Sequence, residues 1–378
     1  MGKNTGFGSS IIEHFGEVKD PRINRRKRHR LIDIIVVSVM AVICDSQGWE
    51  DIEEFAIIRK KWLKTFLQLP NGIPSHDTFR RVISRLNPDE MQTCFSRWIK
   101  SVCEVFGSDV IAIDGKTLRH SFERGAREEK GAIHMVSAWS SKAKLVLGQV
   151  KTEEKSNEIA AIPELLKMLE LKGCIVTLDA MGCQKTIAQS IVDKEGDYIL
   201  ALKGNQGDVH RGAQLSFEIA ESKNFEGLSY DHYEDTSHGH GRIETRCYET
   251  LHSFDWFVYA NDWPELKTLV KITSTRKIRE KVSSEVRYYI SSLELSAQAI
   301  GEAIRLHWGI ENSLHWVLDV TFREDESRIR RGDAAENFST LRRMALAMLK
   351  REPTKKSIAR KRKLCSWSPE FLIQVITA

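Results

Sequence analysis

The sequence predicts a mixed α/β fold that carries a β-rich insertion and follows an all-helical N-terminal region. Apolar residues recur at helical spacing over the first hundred residues. At residue 109 the pattern changes to short strand-like runs and then to alternating helices and strands. A second β-rich stretch covers about 224–292 before the chain becomes helical again at residue 296. A meander followed by helix–strand–helix–strand indicates a mixed sheet and not a purely parallel one.

The N-terminal helices are predicted from their apolar patterns. Residues 31–44 are apolar nearly all round, which is typical of a buried helix, whereas 49–67 has charged positions between its apolar ones. Ser75 and Pro88 are common helix-start residues, so each is expected to begin a short helix. Three arginines between 80 and 85 fit a helix-turn-helix, but they equally fit the solvent face of a plain helical bundle.

The region from residue 109 is predicted element by element. Apolar and β-branched runs predict strands, and amphipathic stretches between them predict helices. The predicted strands are 109–118, 132–140, 144–151, 174–180, 197–203, 254–260, 266–276 and 285–293, and the predicted helices are 156–171, 184–194 and 296–318. A Gly/His loop is expected at 237–242. The absence of a linker around 224–292 favours an insertion into one domain.

Composition narrows the class of protein only slightly. The net charge of +5 is mildly basic, but basic residues concentrate in 22–30 and 350–363, a distribution that suits either a polyanion or a solvated surface segment. The seven cysteines form no zinc-type spacing, and their odd number without a secretory signal predicts free thiols in a reducing cytosol. The longest apolar stretch, 34–44, is too short to cross a bilayer.

Two aspartates share the same local pattern. Asp114 ends the apolar run VIAIDG, and Asp179 ends IVTLDA. Ligands and metals gather at the carboxyl ends of strands in α/β sheets, and Mg²⁺ requires oxygen ligands. The pattern therefore predicts a metal site, although an aspartate at a strand end is also a common turn residue.

A third carboxylate is expected from the helical region after residue 306. Glu311 lies among aromatic and apolar residues, where an unpaired carboxylate is costly. Its competitors Asp319, Glu324, Asp325 and Glu326 lie in a stretch where neighbouring arginines offer ion-pair partners. In one continuous helix His307, Glu311 and His315 share a face, which also resembles a zinc site, but no HExxH arrangement is present.

These stretches together closely resemble the H-repeat-associated transposases, insertion-sequence proteins linked to Rhs elements within the DDE transposase superfamily. The matching motifs are VIAIDGKTLRHS (110–121), VTLDAMGCQKTIA (176–188), YILALKGNQ (198–206) and HWGIENSLHWVLDVTFREDESRIRRG (307–332). The likeness covers almost the whole chain. It implies a ribonuclease-H-like core, a catalytic and metal-binding triad of Asp114, Asp179 and Glu311, and Mg²⁺ as cofactor with Mn²⁺ as a substitute.

The resemblance also implies a domain organisation and a partner. Residues 1–106 correspond to a helical transposase-associated domain, 107–350 to the catalytic domain with its insertion at about 224–292, and 351–378 to a basic C-terminal segment. The expected partner is double-stranded DNA at element ends and target, bound by a homo-oligomer that we expect to be a dimer in the bacterial cytoplasm, associated with the nucleoid when bound. The side chains expected to contact DNA are Lys116, Lys203, Asn205, Arg305, His307 and Arg323.

One departure from related transposases leaves two other functions open. Where those proteins often have Tyr, Arg and Lys around the glutamate, this chain has Ile304, His307 and Leu318. Arg305, His307 or Arg323 would have to replace the missing phosphate contacts. The alternatives to a transposase are a catalytically silent DNA-binding relic of such an element, and a metal-dependent nuclease without strand transfer.

Overall fold

The computed structural model describes residues 6–103, 109–122, 131–152, 158–239 and 241–378. The helices are α1 Gly6–Phe15, α2 Leu31–Ile43, α3 Trp49–Ile58, α4 Lys60–Leu63, α5 His76–Ile83, α6 Pro88–Val102, α7 Glu158–Lys167, α8 Lys185–Val192, α9 Gly207–Ser222, α10 Ala297–Ile310, α11 Trp316–Val320, α12 Ala334–Arg351, α13 Ile358–Trp367 and α14 Pro369–Thr377. The strands are β1 Val110–Thr117, β2 His134–Ser140, β3 Leu145–Thr152, β4 Ile175–Leu178, β5 Asp197–Leu202, β6 Tyr230–Gly239, β7 Arg242–Leu251, β8 Thr268–Ile278 and β9 Lys281–Ser291.

These strands form a mixed sheet of nine strands in the order β3-β2-β1-β4-β5-β9-β8-β7-β6. The first three are an antiparallel meander, as predicted, and β1, β4 and β5 run parallel to one another. The β-rich insertion joins this sheet directly, because β9 pairs antiparallel with β5 over Ile199–Leu202. The insertion is therefore an extension of the sheet beside β5.

The N-terminal region is helical throughout the part described, 6–103, and its helices share a hydrophobic core with the C-terminal ones. Helix α2 is buried on nearly all sides, as its sequence predicted. The Asn337 side chain of α12 donates hydrogen bonds to the carbonyls of Ile83 and Leu86, which ties α5 to α12. The proposed domain boundary at 106–107 lies outside the described residues, so the separate N-terminal domain stays a prediction.

Helix α10 packs across one face of the sheet. Its residues Ile300, Ala303 and Ile304 form a core with buried side chains of β1, β5, β7, β8 and β9. Gly301 permits this close approach, since a Cβ atom there would lie 2.7 Å from the Tyr248 ring. A π-helical turn, Glu311–His315, joins α10 to α11, so the chain remains helical from 297 to 320.

Several elements differ from the sequence prediction. Residues 254–260 are not a strand, because Phe254 and Phe257 anchor a run of turns to the core. Strands β6 and β7 and helix α9 were not predicted, and the expected Gly/His loop is largely the end of the β6–β7 hairpin, with His240 outside the described residues. Helix α7 begins at Glu158, and the two preceding residues of the predicted helix also lie outside the described part.

The basic C-terminal stretch folds into α13 and α14 and is partly internal. Lys361 is buried and donates to the carbonyls of Leu349 and Glu352. Arg362 is buried as well, and it donates to the carbonyl of Val42 at the end of α2. These two cations hold the C-terminal helices in place, so they are not available to a polyanion.

Candidate active site

Asp114 and Asp179 lie side by side on neighbouring strands. Asp114 ends the apolar part of β1, which continues to Thr117, and Asp179 directly follows the last residue of β4. Strands β1 and β4 are parallel, and their register pairs Ile113 with Leu178. Asp114 follows Ile113 and Asp179 follows Leu178, so the two aspartates are also at matching positions. Their side chains therefore point to the same face of the sheet. The Asp179 carboxylate also accepts the backbone N–H groups of Met181 at 3.0 Å and Gly182 at 3.4 Å, which fixes the turn that follows β4.

Helix α10 brings Glu311 to the same place. It packs on the face of β1 that carries Asp114, and Glu311 follows its last residue. One ligand atom each from Asp114, Glu311 and His315 lies within 4.8 Å of the other two. His315 Nδ1 is 3.6 Å from an Asp114 oxygen and 3.5 Å from a Glu311 oxygen. Two carboxylates and an imidazole thus converge beside Asp179.

The electrostatics of this cluster favour a cation. Burial, reinforced by the negative charges of Glu311 and Asp179, raises the pKa of Asp114 to about 8. The His315 ring beside Glu311 lowers the pKa of that carboxyl, although burial opposes this change. Asp114 therefore bears the electrostatic repulsion of the cluster, because both Glu311 and Asp179 act on it. A divalent cation would relieve this repulsion.

Three of the four acidic competitors of Glu311 have other partners, and the fourth, Glu326, is exposed. Lys116 is buried and forms ion pairs with Asp319 at 2.6 Å and Asp325 at 2.9 Å. Glu324 is completely buried beside Arg343, at 3.2 Å, and Arg342, at 3.9 Å. The arginines adjacent in sequence, which we expected as partners, are not the ones used. The ammonium of Lys116, expected to meet DNA, is instead neutralised by two carboxylates.

The other residues expected to contact DNA differ in availability. His307 Nδ1 bonds the Thr177 hydroxyl at 2.9 Å, and burial lowers the pKa of His307, so the ring is neutral at pH 7 and does not supply the charge of the missing arginine. Asn205 donates to the Ala180 carbonyl at 2.6 Å. Arg305 is paired with Asp235. Lys203 and Arg323 are exposed, and Arg323 adopts a left-handed backbone conformation with φ of 51°.

Three concave surfaces of the described residues carry cationic side chains, and one of them includes Asp179. A pocket of about 310 Å³ lies between Asp179, Lys203, His307 and the end of β9. A groove of about 750 Å³ follows α10 and the insertion strands, with Arg242, Arg246, Arg276, Arg287 and Arg305 in its lining. A cleft of about 410 Å³ lies between α5 and the segment before α12, and its lining includes Arg80, Arg328, Arg330 and Arg331. Sequence reasoning found none of these surfaces, because residues far apart in the chain form each one.

Similarity to known proteins agrees with this arrangement. The family described as "Transposase DDE domain" matches residues 106–348, and the one described as "DDE_Tnp_1-associated" matches 12–99. The chain therefore belongs to the DDE transposase family. Within that family it is an H-repeat-associated transposase by similarity to the two relatives that follow.

Both relatives match along almost their whole length. The chain is 44% identical to the "Putative transposase YncI" of Escherichia coli O157:H7, over 98% of this chain and 95% of that protein. It is 42% identical to the "H repeat-associated putative transposase YhhI" of Escherichia coli strain K12, over 97% of each chain. A solved piggyBac transposase synaptic complex with hairpin DNA aligns with a TM-score of 0.42 at 10% identity, covering 98% of this chain and 79% of that one, which is too distant to support a conclusion.

None of the helices in the described part of the chain is both long enough and apolar enough to cross a membrane.

Proposed function

We propose that this transposase binds the ends of its element and catalyses metal-dependent cleavage of DNA followed by joining of the freed 3′ end to target DNA. Asp114, Asp179 and Glu311 are the catalytic and metal-binding carboxylates. The observation that carries the proposal is the convergence of Glu311 on Asp114 beside Asp179 at the open carboxyl edge of β1 and β4. The strand order β3-β2-β1-β4-β5, with β2 antiparallel, also fits a ribonuclease-H-like core.

The donor atoms fit Mg²⁺, with Mn²⁺ as a substitute. Carboxylate oxygens are the ligands that these hard cations prefer, and the raised pKa of Asp114 indicates that the cluster is short of positive charge. When bound, the cations would activate a water or a 3′-hydroxyl and stabilise the leaving oxygen of an in-line displacement at phosphorus. The protein's own contribution is to fix the carboxylates: Asp179 by its two backbone hydrogen bonds, and Glu311 by the packing of α10 on β1.

We assign the DNA path to the cationic surfaces around this cluster. Lys203 borders the pocket that contains Asp179, which places it to meet the backbone next to the scissile phosphate. Arg328 and Arg331 are exposed in the cleft beside α5, where phosphates of a duplex would find unscreened charge. Arg80 in the same cleft already pairs with Asp77, and the insertion groove also holds acidic partners, so the α5 cleft is the stronger candidate.

Double-stranded DNA taken from the sequences that flank the gene, where the element ends are expected, is the substrate for the test. Wild-type protein is expected to nick this duplex with Mg²⁺ or Mn²⁺, whereas Asp114→Ala, Asp179→Ala and Glu311→Ala should bind it and leave it intact. Glu326→Ala, an exposed acid in the same region as Glu311, is the matched control and should remain active. Activity in Glu311→Ala together with loss in Asp325→Ala would show that the third acid is misassigned.

The joining step separates this proposal from the alternatives. A transposase converts a pre-cleaved end and a target duplex into a joined product, whereas a nuclease only shortens the substrate. A silent relic binds the ends and does neither. The intact carboxylate cluster argues against the silent relic, and the similarity to proteins named as transposases supports joining over cleavage alone. A dimer on paired ends would be visible as a single complex of two chains with two DNA ends.

A further inference from the structure

His315 is the feature of the site that the three-carboxylate proposal does not use. Its side chain is only 6% exposed, and its Nδ1 atom faces oxygens of both Asp114 and Glu311. At 3.5–3.6 Å these contacts are longer than ordinary hydrogen bonds of 2.7–3.2 Å. The ring is therefore held close to two carboxylates without bonding properly to either.

The other ring nitrogen makes the arrangement more unusual. Nε2 is buried, and it has no hydrogen-bond partner among the described residues. If the proton is on Nε2, the Nδ1 lone pair faces two carboxyl groups and repels each of them that is ionised. If the proton is on Nδ1, the Nε2 lone pair is buried without a donor. A polar atom buried in this way costs about 1–3 kcal/mol, so neither neutral tautomer suits the metal-free site.

A cation between the three side chains removes the repulsion at Nδ1, while the Nε2–H group stays without an acceptor among the described residues. Metal–ligand bonds of about 2.1–2.2 Å place neighbouring donor atoms about 3.0 Å apart in octahedral geometry and about 3.5 Å apart in tetrahedral geometry. The observed separations of 3.5 and 3.6 Å match the tetrahedral value and exceed the octahedral one by about 0.5 Å, a difference that side-chain rotation would close on binding. All three donor atoms lie within 4.8 Å of one another. A cation would also use the Nδ1 lone pair that otherwise faces negative charge.

The backbone supports this geometry. Glu311 and His315 are the first and last residues of the π-helical turn, which is closed by the Trp316 N–H donating to the Glu311 carbonyl. Single π turns are rare within helices and occur frequently at functional sites. Here the irregular turn holds the two potential ligand side chains over Asp114.

We infer that His315 is a direct ligand, through Nδ1, of a divalent cation held together with Asp114 and Glu311. This rests on the proposed function, because it concerns the same carboxylates. Mg²⁺ and Mn²⁺ both favour carboxylate oxygen, and imidazole nitrogen is more typical of later first-row ions. Of the two, Mn²⁺ accepts a nitrogen ligand more readily, because it is a larger and more polarisable transition-metal ion. His315 therefore biases the site toward Mn²⁺ over Mg²⁺ and assigns the reaction a preferred metal.

Pulsed electron paramagnetic resonance of the full-length protein loaded with Mn²⁺ tests the ligand directly. The wild-type spectrum should contain ¹⁴N coupling from a bound imidazole, and labelling histidine with ¹⁵N should change it accordingly. This readout needs neither DNA nor catalysis, and it needs no variant to fold. Bound Mn²⁺ without nitrogen coupling overturns this inference alone, whereas failure of the wild type to bind Mn²⁺ removes the proposed metal site itself.

Two matched variants identify which histidine is responsible. His315→Asn keeps a polar atom near the position of Nδ1 but replaces nitrogen by an amide oxygen. It should lose the ¹⁴N-imidazole coupling, and the ratio of Mn²⁺ to Mg²⁺ affinity in calorimetry should fall roughly tenfold, in line with losses seen when metal-site partners are removed. His307→Asn, whose ring bonds Thr177 instead, should keep both properties. Loss of coupling in His307→Asn, or its persistence in His315→Asn, contradicts the assignment.

Discussion

The clustered carboxylates should destabilise the metal-free protein, and Asp114→Asn is the substitution that shows this best. Burial and the charges of Glu311 and Asp179 raise the pKa of Asp114 from 3.8 to about 8. The folded protein therefore holds a proton that the unfolded chain releases between about pH 4 and pH 8. Because the unfolded state binds fewer protons over this range, stability falls as pH rises through it and then levels off above about pH 8.

The size of the effect follows from that shift. At about 1.4 kcal/mol per pH unit, the upper limit is roughly 5–6 kcal/mol. Asp114 is 19% exposed, and Glu311 can move away from it, so we expect about 2–4 kcal/mol. The unfolding entropy is about 2.1 cal/mol/K per residue, and the chain has 378 residues. A change of about 2–4 kcal/mol in the free energy of unfolding therefore shifts the unfolding temperature by about 2–5 °C.

This destabilisation is measured by thermal unfolding of wild type and Asp114→Asn at pH 4.5 and pH 8.5, with a chelator present to remove metal ions. The variant should unfold at a higher temperature than wild type at pH 8.5, with a much smaller difference at pH 4.5. Asp193→Asn, an exposed carboxylate at the end of α8, controls for a general charge effect. Added Mn²⁺ should stabilise wild type and not Asp114→Asn. Equal destabilisation of Asp114→Asn at both pH values would refute the electrostatic reasoning.

Three further predictions concern the rest of the fold and the DNA surface. Glu324→Gln leaves Arg343 and Arg342 buried without a counter-charge, so it should lower the free energy of unfolding in urea by about 3–5 kcal/mol. The control Glu326→Gln, on the exposed surface, should leave this free energy nearly unchanged. Gly301→Ala should lower the free energy of unfolding by about 1–3 kcal/mol, because its Cβ atom would press against the Tyr248 ring. Gly309→Ala, in the same helix, should be tolerated, because the nearest atom to its Cβ would be 3.6 Å away. Equal losses in the two variants would contradict the packing argument. The double variant Arg328→Ala/Arg331→Ala should weaken binding to all duplex sequences, and the salt dependence of binding should fall by the equivalent of about two phosphate contacts. Lys172→Ala, which breaks a surface ion pair, is the control. Unchanged binding by the double variant would exclude the α5 cleft from the DNA path.

Much of the fold was predictable where the local pattern and the tertiary structure agree. Helix α2 and the β1–β3 meander follow from continuous or alternating apolar residues, since burial selects those residues. Strand β6 escaped prediction because its residues are mostly polar and none of them is buried. Strand β7 escaped it because its charged first half obscures the pattern of its last four residues, which are buried. Backbone pairing with β6 and β8 defines its full length. The aromatic run at 254–260 misled for the opposite reason: two phenylalanines anchor turns and mimic a strand.

The candidate site divides in the same way. The strand-end positions of Asp114 and Asp179 are visible in the sequence, and parallel pairing of β1 with β4 brings them together. The approach of Glu311 depends on how α10 crosses β1, which no local pattern encodes. The spacing of Glu311 and His315 predicted a shared helix face, but only the packing shows that this face looks toward Asp114.

The central claim, that the carboxylates bind the cation that DNA joining requires, is tested most directly by a change of metal. Joining of a 3′-hydroxyl element end to target duplex would be measured for wild type and Asp179→Cys with Mg²⁺ and then with Mn²⁺. A thiolate is a poor ligand for Mg²⁺ and a better one for Mn²⁺, so the variant should be inactive with Mg²⁺ and regain part of its joining activity with Mn²⁺. Full joining by Asp179→Cys with Mg²⁺ would contradict the claim.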